Sequence, residues 1–486
     1  MSGLGRIAAV GASITLFSQV ARLSLQLTSL LVISRILSPA EIGLVAMVTA
    51  VIGVAEIIRD FGLSSGAIQA KELSRPERDN LFWINLAVGL GCSLVAAASA
   101  PLLGWFYDSP AIVPVTLALA WTFTLSGATT QYRASLTREL RFKELALIDI
   151  ASQAIATTVA ITCALRGWSY WAIVVQLLTA AVAMLVLNLV VGRWLPRLPR
   201  RDVSIRRFFQ FGLPILGTNV MGYLLNNADT AGLGAVWGAG PVGLYNRAYQ
   251  LLLVPLSLIN GPLNSVAMPV LARVREDEER FELYVRRFHL LSAYLFGIAL
   301  AVMAGLAGPI VTILLGDQWH DAAPLVSVLA ISGVFKALTM VFYQVYVSRG
   351  QTHELFMLYL KTRPVMLAVI LAGLPWGPLG LSIGHLVAHL AFWVYSLVLV
   401  GKITRLPVRE VAGESARAVA VVSLPAGAVA YGVTTLVANP WLAFLAGGLA
   451  SLAWIAAAVV AAPPVRRDVR LLWESLRLAL PGRFQR

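Results

Sequence analysis

Residues 168–191 read WSYWAIVVQLLTAAVAMLVLNLVV, twenty-four residues without a Lys, Arg, Asp or Glu, closed by Gly192 and Arg193. A helix rises ~1.5 Å per residue and a bilayer's hydrocarbon core is ~30 Å thick, so this stretch is long enough to span one. The run is near-continuous and lacks the ten-residue alternation of a barrel strand, so it reads as a transmembrane helix. Outward from it in both directions the same pattern recurs. Fourteen spans are expected, at about 12–34, 41–61, 80–106, 111–132, 145–165, 168–191, 208–230, 242–270, 288–314, 323–347, 354–375, 379–401, 416–437 and 440–461.

Composition agrees. Of the 486 residues, 58% are hydrophobic and 13% charged, where a soluble chain carries about 25% charged residues. A soluble enzyme, a secreted disulfide scaffold and a single-span receptor are excluded. Cys92 and Cys163 both lie in apolar runs and read as buried free thiols. The net charge of +14 would suggest nucleic acid in a soluble protein. Here the basic residues fall in short loops, so topology explains them and no nucleic-acid partner is expected. After Arg6 the N-terminal apolar stretch has no cleavage site leading to a mature domain, which reads as a retained first span.

Alternate loops hold Lys71 to Arg78, Arg133 to Lys143, Arg193 to Arg207, Arg273 to Arg287, Arg349, Lys402 to Arg417 and the tail from Arg466. The other set holds only Arg35 and Arg166 with acids such as Asp108, Asp317 and Asp321. The positive-inside rule therefore places both termini in the cytoplasm, and the outer loops are too short for a catalytic domain.

The chain repeats itself at an offset of 200. Gly43-Leu44 returns as Gly243-Leu244; Leu63, Ser65 and Ala67 return as Leu263, Ser265 and Ala267; Val20 and Leu25 return as Val220 and Leu225. The expected fold class is an all-α polytopic membrane protein: two six-helix lobes of parallel topology, related by a pseudo-twofold axis along the membrane normal, plus two extra helices. The expected organisation is 1–192 for the first lobe, 193–207 for a basic linker with Pro196 and Pro199, 208–401 for the second lobe, 402–462 for spans 13 and 14, and 463–486 for a tail. In the tail, Val469, Leu472, Trp473, Leu476 and Leu480 share one helical face, with Arg466, Arg470, Glu474 and Arg477 elsewhere. That suits an amphipathic helix in the cytoplasmic interface.

Charges inside the spans mark the candidate site. Arg22 sits near the middle of span 1, where insertion costs ~2.5–3.5 kcal/mol, so it must face water or a partner. Thr15, Gln19, Gln26 and Ser29 share its face. Asn219, Tyr223, Asn226 and Asp229 form the matching stripe 200 residues on. Arg247, Lys336, Lys361 and Arg363 are the other in-span cations; Lys361 and Arg363 also suit snorkelling to the interface. The in-span acids Glu56, Asp149 and Asp229 are candidates for charge or ion coupling. Asp149 reads as interfacial, Glu56 as a partner for Arg59 or Arg22, and Asp229 as a partner for Arg247. The balance is cationic and rich in amides, which suits an anion bearing hydroxyls, such as a phosphorylated sugar. No P-loop, HExxH or CxxC occurs, so no catalytic residue, metal or cofactor is expected; His385 and His389, four apart, suit hydrogen bonds within the bundle.

Several stretches carry a family resemblance: Leu37-Ser38-Pro39 leading to Gly43-Leu44-Val45-Ala46-Met47, Phe82-Trp83-Ile84-Asn85, Arg138-Glu139-Leu140-Arg141-Phe142, Gly243-Leu244-Tyr245-Asn246-Arg247-Ala248-Tyr249, Leu315-Gly316-Asp317-Gln318-Trp319 and Trp376-Gly377-Pro378-Leu379-Gly380. Together and in order they resemble the polysaccharide and oligosaccharide flippases of the multidrug/oligosaccharidyl-lipid/polysaccharide exporter superfamily, of the colanic-acid and teichuronic-acid exporter type. Ala235 stands where a basic partner of Arg35 is expected. The resemblance implies a bacterial cytoplasmic-membrane protein that alternates between inward-open and outward-open states and carries a polyprenyl-diphosphate-linked saccharide. Its partners would be that lipid-linked substrate, membrane lipids, glycosyltransferases and a polysaccharide polymerase. The competing reading is an ion-coupled small-molecule antiporter of the multidrug branch. A membrane glycosyltransferase would need acids in a large outer loop, which is lacking.

Overall fold

The computed structural model describes residues 3–60, 73–200, 206–404 and 406–479. Lys71 and the first-copy repeat residues Leu63, Ser65 and Ala67 lie outside the described residues. So do residues 201–205 of the linker and the tail from Leu480, and the side chains of Thr15, Leu225, Leu476 and Arg477.

Among the described residues every regular element is helical. Two compact units divide the chain, Met1–Gly243 and Leu244–Arg486. The first holds α1 (Gly3–Ile36), α2 (Pro39–Ile52), α3 (Val54–Asp60), α4 (Arg75–Phe106), α5 (Ile112–Arg138), α6 (Phe142–Leu165), α7 (Trp171–Gly192), α8 (Arg206–Trp237) and the first turn of α9 (Ala239–Val274). The second continues α9 and holds α10 (Glu278–Gly305), α11 (Ala307–Leu314), α12 (Ala323–Ser348), α13 (Thr352–Ala372), α14 (Gly377–Ile403), α15 (Val408–Arg417), a π-helical segment (Ala418–Ser423), α16 (Leu424–Leu436), α17 (Pro440–Ala461) and α18 (Pro463–Ala479).

Ten helical stretches among the described residues are long and apolar enough to cross a bilayer, or eleven if the bent pair Ala239–Gly261 and Val266–Val274 counts as one span. One of the ten, His353–Ile403, contains both α13 and α14. The helices α1 and α8, which carry the two polar stripes, are not among the ten. Length and hydropathy thus establish a polytopic helical protein, and the figure of fourteen rests on the sequence pattern.

Local chemistry sets the helix starts. Ser38 and Ser74 each open a helix with a capping box. Glu41 accepts from the Ser38 amide at 2.7 Å, Glu77 accepts from the Ser74 amide at 2.9 Å, and Pro39 and Pro76 sit in the first helical turn. In the first unit α4 lies along α5, α7 along α5 and α6, and α1 along α6, while α2 and α3 pack on α8. Polar glue joins α4 to α5, where the Ser93 hydroxyl donates to the Ala120 carbonyl at 2.6 Å.

The first turn of α2 meets residues 239–243 backbone to backbone. A Cβ on Gly43 would lie 1.7 Å from the Ala239 oxygen, and one on Gly243 would lie 1.9 Å from the Pro39 oxygen. The contact is reciprocal at an offset of 200 residues, Pro39 corresponding to Ala239 and Gly43 to Gly243.

The chain leaves α7 through Arg193 in the left-handed conformation, φ 46°, and residues 194–200 form a strap without regular secondary structure. Tyr132 hydroxyl donates to the Trp194 carbonyl at 3.1 Å, the Trp83 indole to Arg197 at 2.7 Å, and the Asn80 amide to Arg200 at 2.7 Å, while the Arg200 amide donates back to Asn80 at 2.8 Å. Trp194 is buried edge-on against Phe82 and Tyr132, with the Arg78 guanidinium 4.3 Å over its ring. Asn80→Ala combined with Trp83→Phe removes three of these bonds. At ~1 kcal/mol each the strap should open ~100-fold more often. Tryptic cleavage after Arg197 and Arg200 should accelerate by about that factor while the bundle stays intact.

In the second unit α12 lies along α10 and α14, α13 along α14, α16 along α10 and α17, and α11 along α17. Ion pairs staple its elements. Arg286 of α10 meets Glu410 at 2.7 Å and Glu414 at 2.5 Å on α15, and Arg349 meets Glu278 at 2.6 Å. Asp468 of α18 accepts from Arg417 at 2.8 Å and from the Tyr294 hydroxyl at 2.9 Å. Val465 and Asp468 are buried, so the tail helix is fastened to the bundle along a face the amphipathic pattern did not include, while Val469 and Trp473 remain exposed.

Candidate functional site

Three charges converge in the first unit. Asp149, two turns into α6, accepts from Arg133 of α5 at 2.6 Å and from Arg22 of α1 at 3.2 Å. The carboxylate side chain is 12% exposed, Arg133 35% and Arg22 52%. The cluster therefore carries two guanidinium groups on one largely buried carboxylate, and Arg22 keeps half its surface open. One expectation changes. Of the two acids, it is Asp149 that meets Arg22, because α1 packs along α6. Asp149 thus bridges α1 and α5 from α6.

The apolar run ends at residue 132, which by sequence puts Arg133 among the loop cations. The helix instead continues to Arg138, which holds Arg133 more than a turn inside it. There it lines a cavity of about 450 Å³ whose wall is mostly apolar, formed by residues such as Ile52, Leu119, Phe123 and Met184, with Thr49, Glu56 and Ser126 among them. The legible signal was the polar series Thr129, Thr130, Gln131 leading into Arg133. Glu56 faces the same cavity, so an acid and a base share it with several hydroxyls.

Around this cluster Gln19 and Gln26 are exposed on α1, on the face of Arg22, while Ser29 is buried and accepts from Gln176 at 2.7 Å. On α8, Asn219 and Asn226 are exposed. Tyr223 of the same stripe points inward and its hydroxyl donates to the Thr49 carbonyl at 2.7 Å, beside the cavity. Asp229 is buried and accepts from the Thr230 amide at 2.7 Å.

The second unit holds the other cations. Lys336 of α12 donates to the Tyr249 hydroxyl at 2.9 Å and lies 5.3 Å from the centre of that ring. Arg247 is buried at 7% exposure and donates to Gln250 at 2.5 Å, so it does not open onto water here. The Arg363 guanidinium stacks 4.8 Å over Tyr359 and 5.7 Å from Phe392, whereas Lys361 is exposed. His385 pairs with the Tyr245 hydroxyl at 2.7 Å, and His389 Nδ1 lies 2.8 Å from the His385 carbonyl and 3.3 Å from Ser332. These are the in-bundle hydrogen bonds expected of the two histidines. The aromatic partners Tyr245, Tyr249 and Tyr359 were not singled out for this role from sequence, because a Tyr inside an apolar helix reads as core.

Fold and site together define a polytopic α-helical membrane protein whose spans carry an Arg–Asp–Arg cluster beside a largely apolar cavity with several hydroxyls in its wall, a layout that suits a transporter. A family model described as "Polysaccharide biosynthesis protein" matches residues 32–324, and the chain belongs to that family. It is 26% identical over 392 residues to the lipopolysaccharide biosynthesis protein WzxC of Escherichia coli (strain K12), covering 78% of each chain. It is 24% identical over 323 residues to the succinoglycan biosynthesis transport protein ExoT of Rhizobium meliloti (strain 1021), covering 65% of this chain and 64% of that one. Its fold matches that of the lipid II flippase MurJ in an inward closed conformation, with a TM-score of 0.71 at 12% identity over 93% of this chain and 98% of that chain.

Proposed function

We propose that this chain is a flippase that moves a polyprenyl-diphosphate-linked oligosaccharide or polysaccharide precursor across the bacterial cytoplasmic membrane by alternating access. The observation that carries the reading is the Arg22–Asp149–Arg133 cluster beside the cavity that Arg133 and Glu56 line. Guanidinium forks suit a diphosphate, and Thr, Ser, Gln and Asn side chains suit sugar hydroxyls. Gln19, Gln26, Asn219, Asn226, Arg247, Lys336, Lys361 and Arg363 serve the same cargo in this reading. The relatives' roles in lipopolysaccharide biosynthesis and succinoglycan transport support the substrate class. Glycosyltransferases and a polymerase stand beside it as partners, and the chain itself neither catalyses a reaction nor needs a cofactor.

The proposed architecture is fourteen spans arranged as two parallel six-helix lobes with spans 13 and 14 appended and both termini cytoplasmic. The reciprocal contact of Gly43 and Gly243 supports it, since a local twofold makes residue i meet j′ and j meet i′. A membrane potential negative inside favours outward movement of an anion by ~2.3 kcal/mol per charge per 100 mV. Export of a sugar lipid from vesicles should therefore follow an imposed potential, with no ATP consumed by this chain. The antiporter reading draws support from Glu56, an acid in the same cavity as Arg133. Export that follows a proton or sodium gradient at zero potential and ignores voltage would favour it instead.

A further inference from the structure

The strap after α7 has a pattern that transport does not use. Its sequence is Trp194-Leu195-Pro196-Arg197-Leu198-Pro199-Arg200, in which Leu-Pro-Arg occurs twice. The carbonyls of Trp194, Arg197 and Arg200 are the ones that accept from Tyr132, Trp83 and Asn80. Every third carbonyl is therefore bonded to the bundle. Three residues is the turn of a polyproline II helix, whose backbone has no internal hydrogen bonds and offers its carbonyls to a partner. Proline at the intervening positions favours that conformation. The strap is in effect a polyproline segment bound by its own chain through an indole, an amide and a phenol.

A period of three has a second consequence. If one edge faces the bundle, Leu195 and Leu198 share another, and they are 75% and 80% exposed. Two fully solvated leucines at one-turn spacing, on a segment whose backbone is held fast, need a cover. Arg193, Arg197 and Arg200 are exposed around them. The strap also begins directly at the end of the membrane-crossing stretch Trp171–Gly192, and its bonds to Asn80 and Trp83 of α4 keep it flush with the bundle. Its location is therefore the boundary between hydrocarbon and water, on the side that the Lys/Arg asymmetry assigns to the cytoplasm.

We infer that the strap is a membrane-surface anchor: Leu195 and Leu198 insert among the acyl chains of the cytoplasmic leaflet, and Arg193, Arg197 and Arg200 bind the phosphates of anionic phospholipids around them. Basic residues near an anionic surface add electrostatic attraction, and the leucines add burial of apolar surface. Unlike an amphipathic helix, the segment gives three carbonyls and the Arg200 amide to Asn80, Trp83 and Tyr132, and its other backbone groups suit the hydrated interface.

The test uses nitroxide labels on single cysteines at Leu195 and Leu198 in the full chain with Cys92→Ser and Cys163→Ala. Val186, exposed on α7, serves as the lipid standard, and Glu139 as the water standard. Collision with oxygen and with a polar nickel reagent is measured in vesicles of phosphatidylglycerol with phosphatidylethanolamine, and in phosphatidylcholine alone. The expected result in anionic vesicles is oxygen accessibility near that of Val186 and several-fold above nickel at both leucine positions. Phosphatidylcholine, or Arg193→Gln with Arg197→Gln and Arg200→Gln, should shift both labels toward the Glu139 value. Nickel accessibility like that of Glu139 in anionic vesicles would place the leucines in water and overturn the inference. Protection from both reagents would mean that protein covers the face, and it would overturn the lipid assignment. Equal depth in both lipids would overturn the phosphate contacts. None of these readouts depends on transport.

Discussion

Arg22→Ala should abolish export of the lipid-linked saccharide while leaving folded protein in the membrane. The two halves of that expectation have different causes. Stability survives because Arg22 is half exposed and its bond to Asp149 is the longer of two, at 3.2 Å against 2.6 Å for Arg133. Exposed ion pairs contribute ~0–1 kcal/mol, and Asp149 keeps its closer partner. Transport fails because the open half of the guanidinium is what a diphosphate would meet. A charge-assisted hydrogen bond to such a group contributes ~1.5–3 kcal/mol, so cargo affinity should fall roughly 10- to 150-fold, before any loss of gating. Asp149→Asn should behave differently. It leaves Arg133, a third exposed, and Arg22 without a carboxylate, so both folding yield and export should drop. Glu56→Gln should be milder than either. Export assays in vesicles, normalised to protein that survives detergent extraction as a monodisperse peak, separate these outcomes. An Arg22→Ala protein that exports at the native rate would remove the cluster from the cargo path.

Gly43→Ala should be nearly as damaging for a wholly steric reason. The added Cβ would sit 1.7 Å from the Ala239 oxygen and 2.7 Å from the Gly243 nitrogen, and both obstacles are backbone. Overpacking costs ~1–3 kcal/mol when side chains can yield and more when they cannot. The first turn of α2 must therefore move away from residues 239–243. Gly243→Ala should give the same phenotype through the Pro39 oxygen, 1.9 Å away. Gly240→Ala is the control, since its Cβ would meet open space. We expect at least a tenfold loss of export and a lower melting temperature for Gly43→Ala and Gly243→Ala, and neither for Gly240→Ala. Cysteines placed beside this contact should become more reactive to a polar thiol reagent in the two wedged variants. Silent behaviour at both glycines would show that the close approach is dispensable.

The stripes on α1 and α8 illustrate how much of the site could be read in advance. Gln19, Arg22 and Gln26 fall on one exposed face of α1, as their spacing requires, because a helix commits residues three and four apart to the same side. Spacing says nothing about the partner across the gap. Arg22 meets Asp149 only because α6 packs along α1, and 127 residues separate the two in the chain. Arg133 was misassigned for a related reason. An apolar run loses its signal where polar residues begin, whereas the helix ends where its backbone hydrogen bonds end, at Arg138. The tail shows the same limit: the amphipathic face of Val469 and Trp473 is visible in the periodicity, but the burial of Asp468 under Arg417 and Tyr294 is not.

Local rules and transfer free energy fix the helical membrane class and the 200-residue repeat with glycine at 43 and 243, and these are legible along the chain. Tertiary structure alone decided which charges meet, that the cavity lies among Thr49, Glu56 and Arg133, and that the linker is strapped to α4 by Asn80 and Trp83. The physical reason is range. Hydrophobic periodicity acts within a few turns and is written along the chain, whereas an ion pair or a strap joins groups on different helices, up to 128 residues apart for Arg286 and Glu414, and its partner is chosen by how the helices pack.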